Sequence, residues 1–424
     1  MGGSTFAIGL VPGYASIGFA APLIILVLRL LQGLALGGEY GGAATYVAEH
    51  APPERRGFYT SWIQTTATLG LFLSLGIILI TRVSMAPDLD TSIQRFNDWG
   101  WRIPFWVSVL LVGVSIYIRL KMKESPLFSK IKSEGKISVN PLKESFGHKA
   151  NLKMVLLALF GATMGQGVVW YTGQFYAQSF IENVCFVDFN QSRTILIWSI
   201  LFATPFFVVF GRWSDKIGRK WIMMAGMLLA IVTYPYIFQQ FINLSDPASR
   251  TEVTAERKLL ESKTIAVANS STDSVKLVTS EVHYTDGSVF KEIKADTLYA
   301  DASKAAVAKT ATRYREKKLD GATYWKFVGW IFVLIIYVTM VYGPIAAFLV
   351  ELFPTRIRYT SMSLPYHIGN GIFGGLTPFI ATLLTTIYIN DKLSGLWYPI
   401  LIGGICVFIG TVYISNRIDK DVND

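Results

Sequence analysis

The stretch FGRWSDKIGRK, residues 210–220, is a short basic segment between two apolar runs. Gly211 and Gly218 allow tight turns because glycine has no Cβ. Asp215 can sit at the start of a helix, where the helix dipole favours a negative charge. The flanking apolar runs are long enough to cross a bilayer as helices. The segment therefore predicts a turn between two membrane-spanning helices.

The composition extends this prediction to the whole chain. Of the 424 residues, 52% are hydrophobic and only 16% are charged, whereas soluble globular domains carry about 25% charged residues. Apolar runs of about 18 or more residues recur between polar breaks. We therefore predict an all-α polytopic membrane protein whose nine spans lie at about 22–47, 58–81, 103–120, 153–179, 193–211, 219–241, 325–350, 359–388 and 396–415.

The net charge of +10 does not indicate nucleic-acid binding, because the basic residues concentrate in connections between the spans. An excess of Lys and Arg in short connections marks the cytoplasmic side. We expect the cytoplasmic connections to be 48–57, 119–152, 212–218, 351–358 and the C-terminal tail. We expect the external connections, which are poorer in Lys and Arg, to be 82–102, 180–192 and 389–395.

The sequence contains no pattern that indicates catalysis. It has no Walker A motif for ATP, and its spans hold no paired metal ligands and no nucleophile motif. Two cysteines, Cys185 and Cys406, are too few for a disulfide framework. We expect neither enzyme activity nor a cofactor.

The long polar connection 243–322 differs from the others, and by alternation of the spans it is extracytoplasmic. Residues 251–263 and 301–319 are typical of helices, and residues 274–295 predict a hairpin with Asp286-Gly287 at its turn. We therefore predict a small soluble α/β insertion. It is either a solvated extension without chemistry or a surface that docks a partner or acts as a lid.

A repeated motif indicates that the chain consists of two homologous halves. EHAPPERRG (49–57) and ELFPTRIRY (351–359) share the pattern Glu-x-x-Pro-x-x-x-Arg at equivalent places between spans. Without the insertion, the spacing of Asp215 from Glu351 places a counterpart of Asp215 about seven residues before Met1. We therefore expect the first half to lack its earliest spans.

Several motifs together resemble the metabolite:proton symporter subfamily of the major facilitator superfamily, which includes permeases for α-ketoglutarate, shikimate, citrate and proline/betaine. These motifs are GRWSDKIGRK (211–220), LRLLQGLALGGEYGG (28–42), WGWRIPF (99–105), ESPLF (124–128), WYTGQFYA (170–177) and ELFPTRIRYTSMS (351–363). The resemblance implies a major facilitator fold that lacks helices one, two and most of three, with the insertion as a further departure. The implied units are 1–120, 121–152, 153–242, 243–322 and 323–424.

The first span carries three candidates for a substrate or proton pathway, Arg29, Gln32 and Glu39, of which Arg29 and Gln32 match the fourth-helix signature of the resemblance. An arginine inside a span costs about 2.5–3.5 kcal/mol on insertion scales, so Arg29 is expected to face a cavity unless it reaches the headgroups. Glu39 lies about 15 Å along the helix and cannot pair with Arg29. It is either a buried proton carrier, which desolvation would favour, or a partner of a basic group at the cytoplasmic end.

Two further spans carry polar stripes at helical spacing. Amides in hydrocarbon must find partners, so we expect these stripes to line the cavity. The candidates are Gln166, Trp170, Tyr171 and Gln174 on the first stripe, and His367 and Asn370 on the second. His367 is either a group that titrates near neutral pH or a structural hydrogen-bonding residue.

The basic connections predict a gate at the cytoplasmic end. By resemblance to the superfamily, Asp215 meets the start of the span at 58, near Arg55 and Arg56, and holds the halves together when that side is closed. The alternative is a solvated basic turn. The candidate gate residues are Arg55, Arg56, Gly211, Asp215, Gly218, Arg219, Glu351 and Arg358.

These observations predict a monomeric symporter of the inner membrane. We expect it to carry a small polar metabolite, an organic acid or a zwitterion, with protons as the coupling ion. The span 58–81 lacks the Gly-Pro pair of superfamily antiporters, which favours symport. The alternatives are an incomplete, transport-inactive permease and a membrane sensor that uses the insertion.

Overall fold

The structure is a computed structural model that describes residues 1–86, 89–121, 124, 129, 132–135, 138–266, 274–298 and 311–415. Within these ranges, nine helices are long and apolar enough to cross a membrane, so the nine predicted spans are confirmed. Outside these ranges lie most of the ESPLF motif, residues 301–310 of the predicted second helix of the insertion, and the basic end of the tail at 417–420.

We number the long helices α1 to α9 in chain order. They are α1 Ala20–His50, α2 Arg56–Met85, α3 Arg102–Lys121, α4 Lys149–Asn183, α5 Phe189–Ile217, α6 Arg219–Leu244, α7 Gly321–Leu352, α8 Arg358–Ile387 and α9 Trp397–Tyr413. Short α-helices form at Gly2–Ile8, Tyr14–Ile17, Leu89–Arg95 and Pro141–Gly147. Single 3₁₀ turns form at Pro53–Arg55, Pro247–Ser249, Thr254–Glu256 and Ser394–Leu396.

Four π-helical turns interrupt or precede the long helices. One precedes α3, two lie within α4 and one lies within α8, at Phe96–Gly100, Leu159–Thr163, Thr172–Tyr176 and Gly369–Gly374. Such turns widen a helix locally and frequently occur at functional sites. Those in α4 and α8 flank or contain the polar stripes that the sequence singles out.

Local chemistry explains where the helices begin and end. The Asp188 carboxylate accepts hydrogen bonds from the amides of Asn190 and Gln191 and so caps α5. Gly218 has a φ of 105°, which lets α5 stop and α6 start across a single residue, as predicted.

Gly211 does not form a turn, and the prediction of a tight turn there is wrong. It lies inside α5, where a Cβ would come within 2.5 Å of the Ser61 Cβ and 2.6 Å of the Gly57 carbonyl oxygen. The residue is small because the backbones of α5 and α2 approach closely, not because the chain reverses.

The core lies in the C-terminal part of the bundle. α7 is central and packs against α5 and α6, while α4 packs against α8 and α9. This part is joined to the first helices because α5 and α7 pack against α2, and α8 and α7 pack against α1.

The insertion contains a four-stranded antiparallel sheet in the order β1-β2-β3-β4. Its strands are Lys258–Ala266, Ser274–His283, Val289–Leu298 and Ala311–Lys318. The predicted hairpin is confirmed, since His283 pairs with Val289 across a turn at Asp286-Gly287 in which Gly287 has a φ of 85°.

The prediction of two helices in the insertion is wrong, since the described residues of those two segments form only a single 3₁₀ turn at Thr254–Glu256 and two strands. Residues 258–266 and 311–318 form the outer strands β1 and β4. The hairpin offers free backbone groups along both of its edges, and pairing with those edges outweighs a helix propensity of a few tenths of a kcal/mol per residue.

The sheet is fixed to the C-terminal part of the bundle. Gln191 at the start of α5 exchanges two hydrogen bonds with the backbone of Leu319, at 3.0 and 2.7 Å. The Lys317 ammonium donates to the Ser245 carbonyl at the end of α6, at 2.7 Å. The sheet is therefore held against the start of α5 and the end of α6, and its last strand leads directly into α7.

Candidate functional site

Polar and aromatic side chains from five helices meet in the middle of the bundle. We call this set the central cluster, and its members are Tyr40, Gln64, Gln166, Trp170, Tyr171, Tyr342, Tyr366 and Asn370. The rings of Tyr40 on α1 and Tyr366 on α8 stack with centroids 3.7 Å apart and planes 5° from parallel. The Gln64 amide on α2 donates to the Tyr40 hydroxyl at 2.9 Å. The first helices and the C-terminal helices thus share one polar site.

A chain of hydrogen bonds crosses the cluster and ends at a free donor. The Tyr342 hydroxyl donates to Asn370 Oδ1 at 2.6 Å, and Asn370 Nδ2 donates to Gln166 Oε1 at 3.2 Å. Gln166 is fully buried, and its Nε2 has no partner among the described residues. A buried donor without a partner costs about 1–3 kcal/mol, so this position favours a ligand that supplies an acceptor.

Glycines bring the two amides together. A Cβ on Gly167 would lie 2.6 Å from the Gly369 carbonyl oxygen, and a Cβ on Gly369 would lie 2.6 Å from the Thr163 carbonyl carbon. The Thr163 hydroxyl also donates to the Pro365 carbonyl at 2.7 Å. Because α4 and α8 touch backbone to backbone, the short side chains of Gln166 and Asn370 can reach each other.

Aromatic faces line one side of the cluster. The Trp170 ring lies 4.8 Å from Tyr171 and 6.1 Å from Tyr342, centroid to centroid. Electron-rich ring faces attract cations. The cluster therefore combines faces suited to a positive group with an amide donor suited to a negative or carbonyl oxygen.

Of the predicted pathway residues, four meet in this cluster: Gln166, Trp170, Tyr171 and Asn370. His367 is half-buried beside it, with its ring 5.4 Å from Tyr366 and its Nε2 buried without a described partner. Gln174 is half-buried in the π-turn further along α4.

The three predicted residues of α1 lie outside the central cluster. Arg29 donates to Gln32 at 3.2 Å, and Gln32 donates to Thr5 at 2.7 Å. Glu39 pairs with Arg119 of α3 at 3.6 Å, and the two side chains are 41% and 68% exposed. The interpretation of Glu39 as a buried carboxylate is therefore wrong, because α1 turns this face away from its neighbours.

Sequence reasoning missed four members of the cluster, namely Tyr40, Gln64, Tyr342 and Tyr366. Tyrosines inside apolar runs were counted with the hydrophobic residues. Tyr366 lies four residues before Asn370 and so on the same helical face. Including tyrosines in the polar stripes would have found it.

A second site lies where α2 begins and α5 and α7 end. We call it the Asp215 cluster, formed by Asp215, Arg219 and Glu351. The Asp215 carboxylate accepts hydrogen bonds from the amides of Gly57 at 2.8 Å and Phe58 at 2.9 Å. This places Asp215 at the N-terminus of α2, where the helix dipole favours a negative charge.

Arg219 closes this cluster with a fork of hydrogen bonds. Its Nε and Nη2 donate to the two carboxylate oxygens of Glu351 at 3.2 and 3.0 Å, and its Nη1 pairs with Asp215 at 2.5 Å. The three side chains are at most 6% exposed. Bidentate, buried ion pairs of this kind are geometrically specific.

The other copy of the repeated motif forms a related pair. Arg358 donates to Glu49 at 2.7 Å, and both side chains are buried. Arg56 is buried and donates to the Ala48 carbonyl at 3.3 Å, whereas Arg55 is exposed in the turn before α2. Each motif glutamate thus binds an arginine from another part of the chain, and Arg55 does not join either set.

Three comparisons relate this geometry to known proteins. A crystal structure of a double-tryptophan XylE mutant aligns with 100% of this chain and 80% of its own, at a TM-score of 0.60 and 13% identity. Residues 1–137 match the family described as Sugar (and other) transporter. The chain has the major facilitator fold. The resemblance predicted from its motifs is confirmed.

Curated proteins that are similar to this chain carry transporter names. The inner membrane metabolite transport protein YhjE of Escherichia coli is 27% identical over 92% of this chain and 70% of its own. The citrate-proton symporter of Klebsiella pneumoniae is 26% identical over 98% and 74%. The proline/betaine transporter of Salmonella typhimurium is 29% identical over 55% and 47%. The relatives and the fold are those of transporters, not enzymes, as the sequence predicts.

Proposed function

We propose that this protein is a proton-coupled symporter that carries a small polar metabolite across the inner membrane by alternating access. The observation that carries the proposal is the central cluster. Side chains of α1, α2, α4, α7 and α8 converge there, and the buried Gln166 donor has no described partner.

The chemistry of the cluster favours a zwitterion over an organic acid. None of its eight members is charged, so a carboxylate anion would bring an uncompensated charge into a buried site. A zwitterion carries its own counter-charge. Its cationic group suits the faces of Trp170, Tyr171 and Tyr342, and its carboxylate suits the free Gln166 amide.

The Asp215 cluster supports a gate at the cytoplasmic end. It ties the ends of α5 and α7 and the start of α6 to the first turn of α2, so the two parts of the bundle cannot separate there while it is intact. The excess of Lys and Arg in the connections at this end indicates the cytoplasmic side. The conformation is then closed towards the cytoplasm.

We assign proton binding to His367. Its imidazole adjoins Tyr366 of the central cluster, and its buried Nε2 lacks a described partner. Histidine is the side chain whose unperturbed pKa lies nearest neutrality. Arg29, which lies inside α1 and donates to Gln32, is a candidate for tuning the movement of the proton.

Uptake into proteoliposomes tests the proposal. Radiolabelled glycine betaine and citrate are supplied to the full chain with and without an inward proton gradient. We expect betaine uptake to be stimulated severalfold by the gradient, and His367→Gln or Arg29→Ala to remove the stimulation. Uptake that does not depend on the gradient would overturn the coupling, and a preference for citrate would overturn the assignment of a zwitterion.

A further inference from the structure

A groove opens between the first turns of α4 and the last turn of α9, at the end of the bundle that holds the Asp215 cluster. Its volume is about 440 Å³. The walls are almost wholly apolar, and two lysines of α4, Lys149 and Lys153, stand at its rim. The wall residues are Leu152, Leu156, Leu157, Phe160, Ile409 and Tyr413.

The two lysines form one basic edge. They are spaced i, i+4 on α4 and therefore project from the same helical face. Both are exposed, and neither has a carboxylate partner within the ranges that the structure describes. Glu144, the acidic residue nearest in sequence, is already paired with Arg356 at 2.6 Å.

Lys220, another cation of this region among the described residues, is not available to a ligand. Lys220 is buried and donates to the carbonyls of Thr411 and Ile414 at 2.7 and 2.6 Å, so it holds the end of α9. Among the described residues that line the groove, Lys149 and Lys153 are the ones that carry a positive charge. The N-terminus of α4, which begins at Lys149, adds its dipole to the same edge.

The groove faces the bilayer and not the transport site. Leu152, Leu156 and Tyr413 are 36%, 44% and 60% exposed, on helices long enough to span the membrane. An apolar slot that opens to hydrocarbon, with two cations where the helices reach the membrane surface, matches the two parts of a phospholipid. Basic pockets between spans on the cytoplasmic side bind anionic headgroups.

We propose that this groove is a specific site for an anionic phospholipid of the cytoplasmic leaflet. One acyl chain lies along the Leu152–Leu156–Phe160 wall of α4 and against Ile409 of α9. The phosphodiester lies between the ammonium groups of Lys149 and Lys153. The bound lipid braces the start of α4, which carries Gln166 and Trp170, against the end of α9.

Native mass spectrometry of the full chain, purified in detergent, tests the charge requirement. The probes are phosphatidylglycerol and phosphatidylcholine with identical acyl chains. We expect phosphatidylglycerol to bind more tightly, and each of K149Q and K153Q to weaken it about fivefold. The control R212Q/K216Q removes an exposed basic pair with the same i, i+4 spacing near the C-terminus of α5, at the same end of the bundle as the groove. We expect it to leave lipid binding unchanged.

A second variant tests the apolar part of the site. Leu156→Trp fills the groove while both lysines remain, and we expect it to reduce phosphatidylglycerol binding as strongly as K149Q. Displacement of the lipid by inorganic phosphate at millimolar concentration would show a phosphate site without a lipid groove. Equal binding of the two lipids, or equal loss in R212Q/K216Q, would show non-specific annular lipid. Either result overturns the proposal, whether or not the protein transports.

Discussion

The first three spans and the last six consist of similarly apolar helices in different surroundings. In the most apolar 18-residue stretch of α7, 78% of the residues are buried by the rest of the structure, and in that of α4 the share is 67%. In α1, α2 and α3 the shares are 11%, 13% and 6%. Hydropathy marks a helix as able to cross the membrane, but its neighbours decide whether its side chains meet protein or lipid.

This difference has an energetic consequence. Lipid chains are as apolar as leucine, so replacing a lipid-facing apolar residue by another apolar residue changes the folding free energy only slightly. Replacing a residue that is packed against backbone or held in a buried ion pair costs much more folding free energy. The same kind of substitution should therefore change the unfolding free energy by different amounts in the two regions, and in one case in opposite directions.

The largest contrast is expected between two arginines that each bind a glutamate. Arg219→Met leaves Asp215 and Glu351 as uncompensated buried charges, which costs about 3–5 kcal/mol of unfolding free energy. Arg119→Met removes an exposed partner of Glu39 and costs less than about 1 kcal/mol. Thermal unfolding of the purified variants in one detergent measures both. Similar losses would show that the Asp215 cluster is as open to solvent as the Glu39 pair.

A second contrast reverses its sign between the regions. A Cβ at Gly369 of α8 would lie 2.6 Å from backbone atoms of Thr163, so Gly369→Ala should destabilise the fold by about 1–3 kcal/mol. A Cβ at Gly33 of α1 meets nothing within 4 Å. Gly33→Ala should therefore stabilise its helix by up to about 1 kcal/mol. A loss of stability at Gly33 would mean that the face of α1 is packed after all.

The third prediction separates function from stability inside the buried region. Gln166→Leu removes a donor that has no described partner, which favours the folded state, and the acceptor of the Asn370 hydrogen bond, which costs about 1 kcal/mol, so the net change in the unfolding free energy should stay within about 1 kcal/mol. The same change should weaken binding of glycine betaine about tenfold, because the ligand loses its hydrogen bond. Tryptophan fluorescence titration measures the binding. Gln174→Leu, on the same helix, is the control that should leave it unchanged.

The sequence predicts properties that belong to a single segment better than properties that depend on contacts between segments. Span positions depend on the length of apolar runs, a property of each segment alone, and all nine were found. In the Asp215 cluster, a repeated motif marks Glu351, and the resemblance of segment 211–220 to a superfamily loop marks Asp215 and Arg219. Membership of the central cluster depends on which faces of α1, α2, α4, α7 and α8 meet, and Tyr40, Gln64 and Tyr342 carry no local sign of it.

The prediction of helices at β1 and β4 was wrong for a related reason. Their residues favour a helix locally, and only the edges of the β2–β3 hairpin make them strands. One of the two interpretations of Glu39 made it a buried proton carrier because it lies within a span, but a span can turn a polar residue towards an exposed partner such as Arg119. In each case the decisive interaction joins segments that are distant in sequence or on different helices.

The smallest expected effect concerns the junction between the sheet and the bundle, where burial lowers the pKa of Lys317 to about 8 from its usual 10.5. Between these values the unfolded chain binds more protons than the folded one, so the unfolding free energy rises with pH. The gain due to Lys317 should be about 1 kcal/mol from pH 8 to pH 9. Comparing chemical unfolding of the wild type and Lys317→Met at both pH values isolates this term, because other groups titrate equally in both. An equal pH dependence in the variant would mean that Lys317 is not buried against Ser245, and that the sheet is less firmly joined to the C-terminal helices than its contacts indicate.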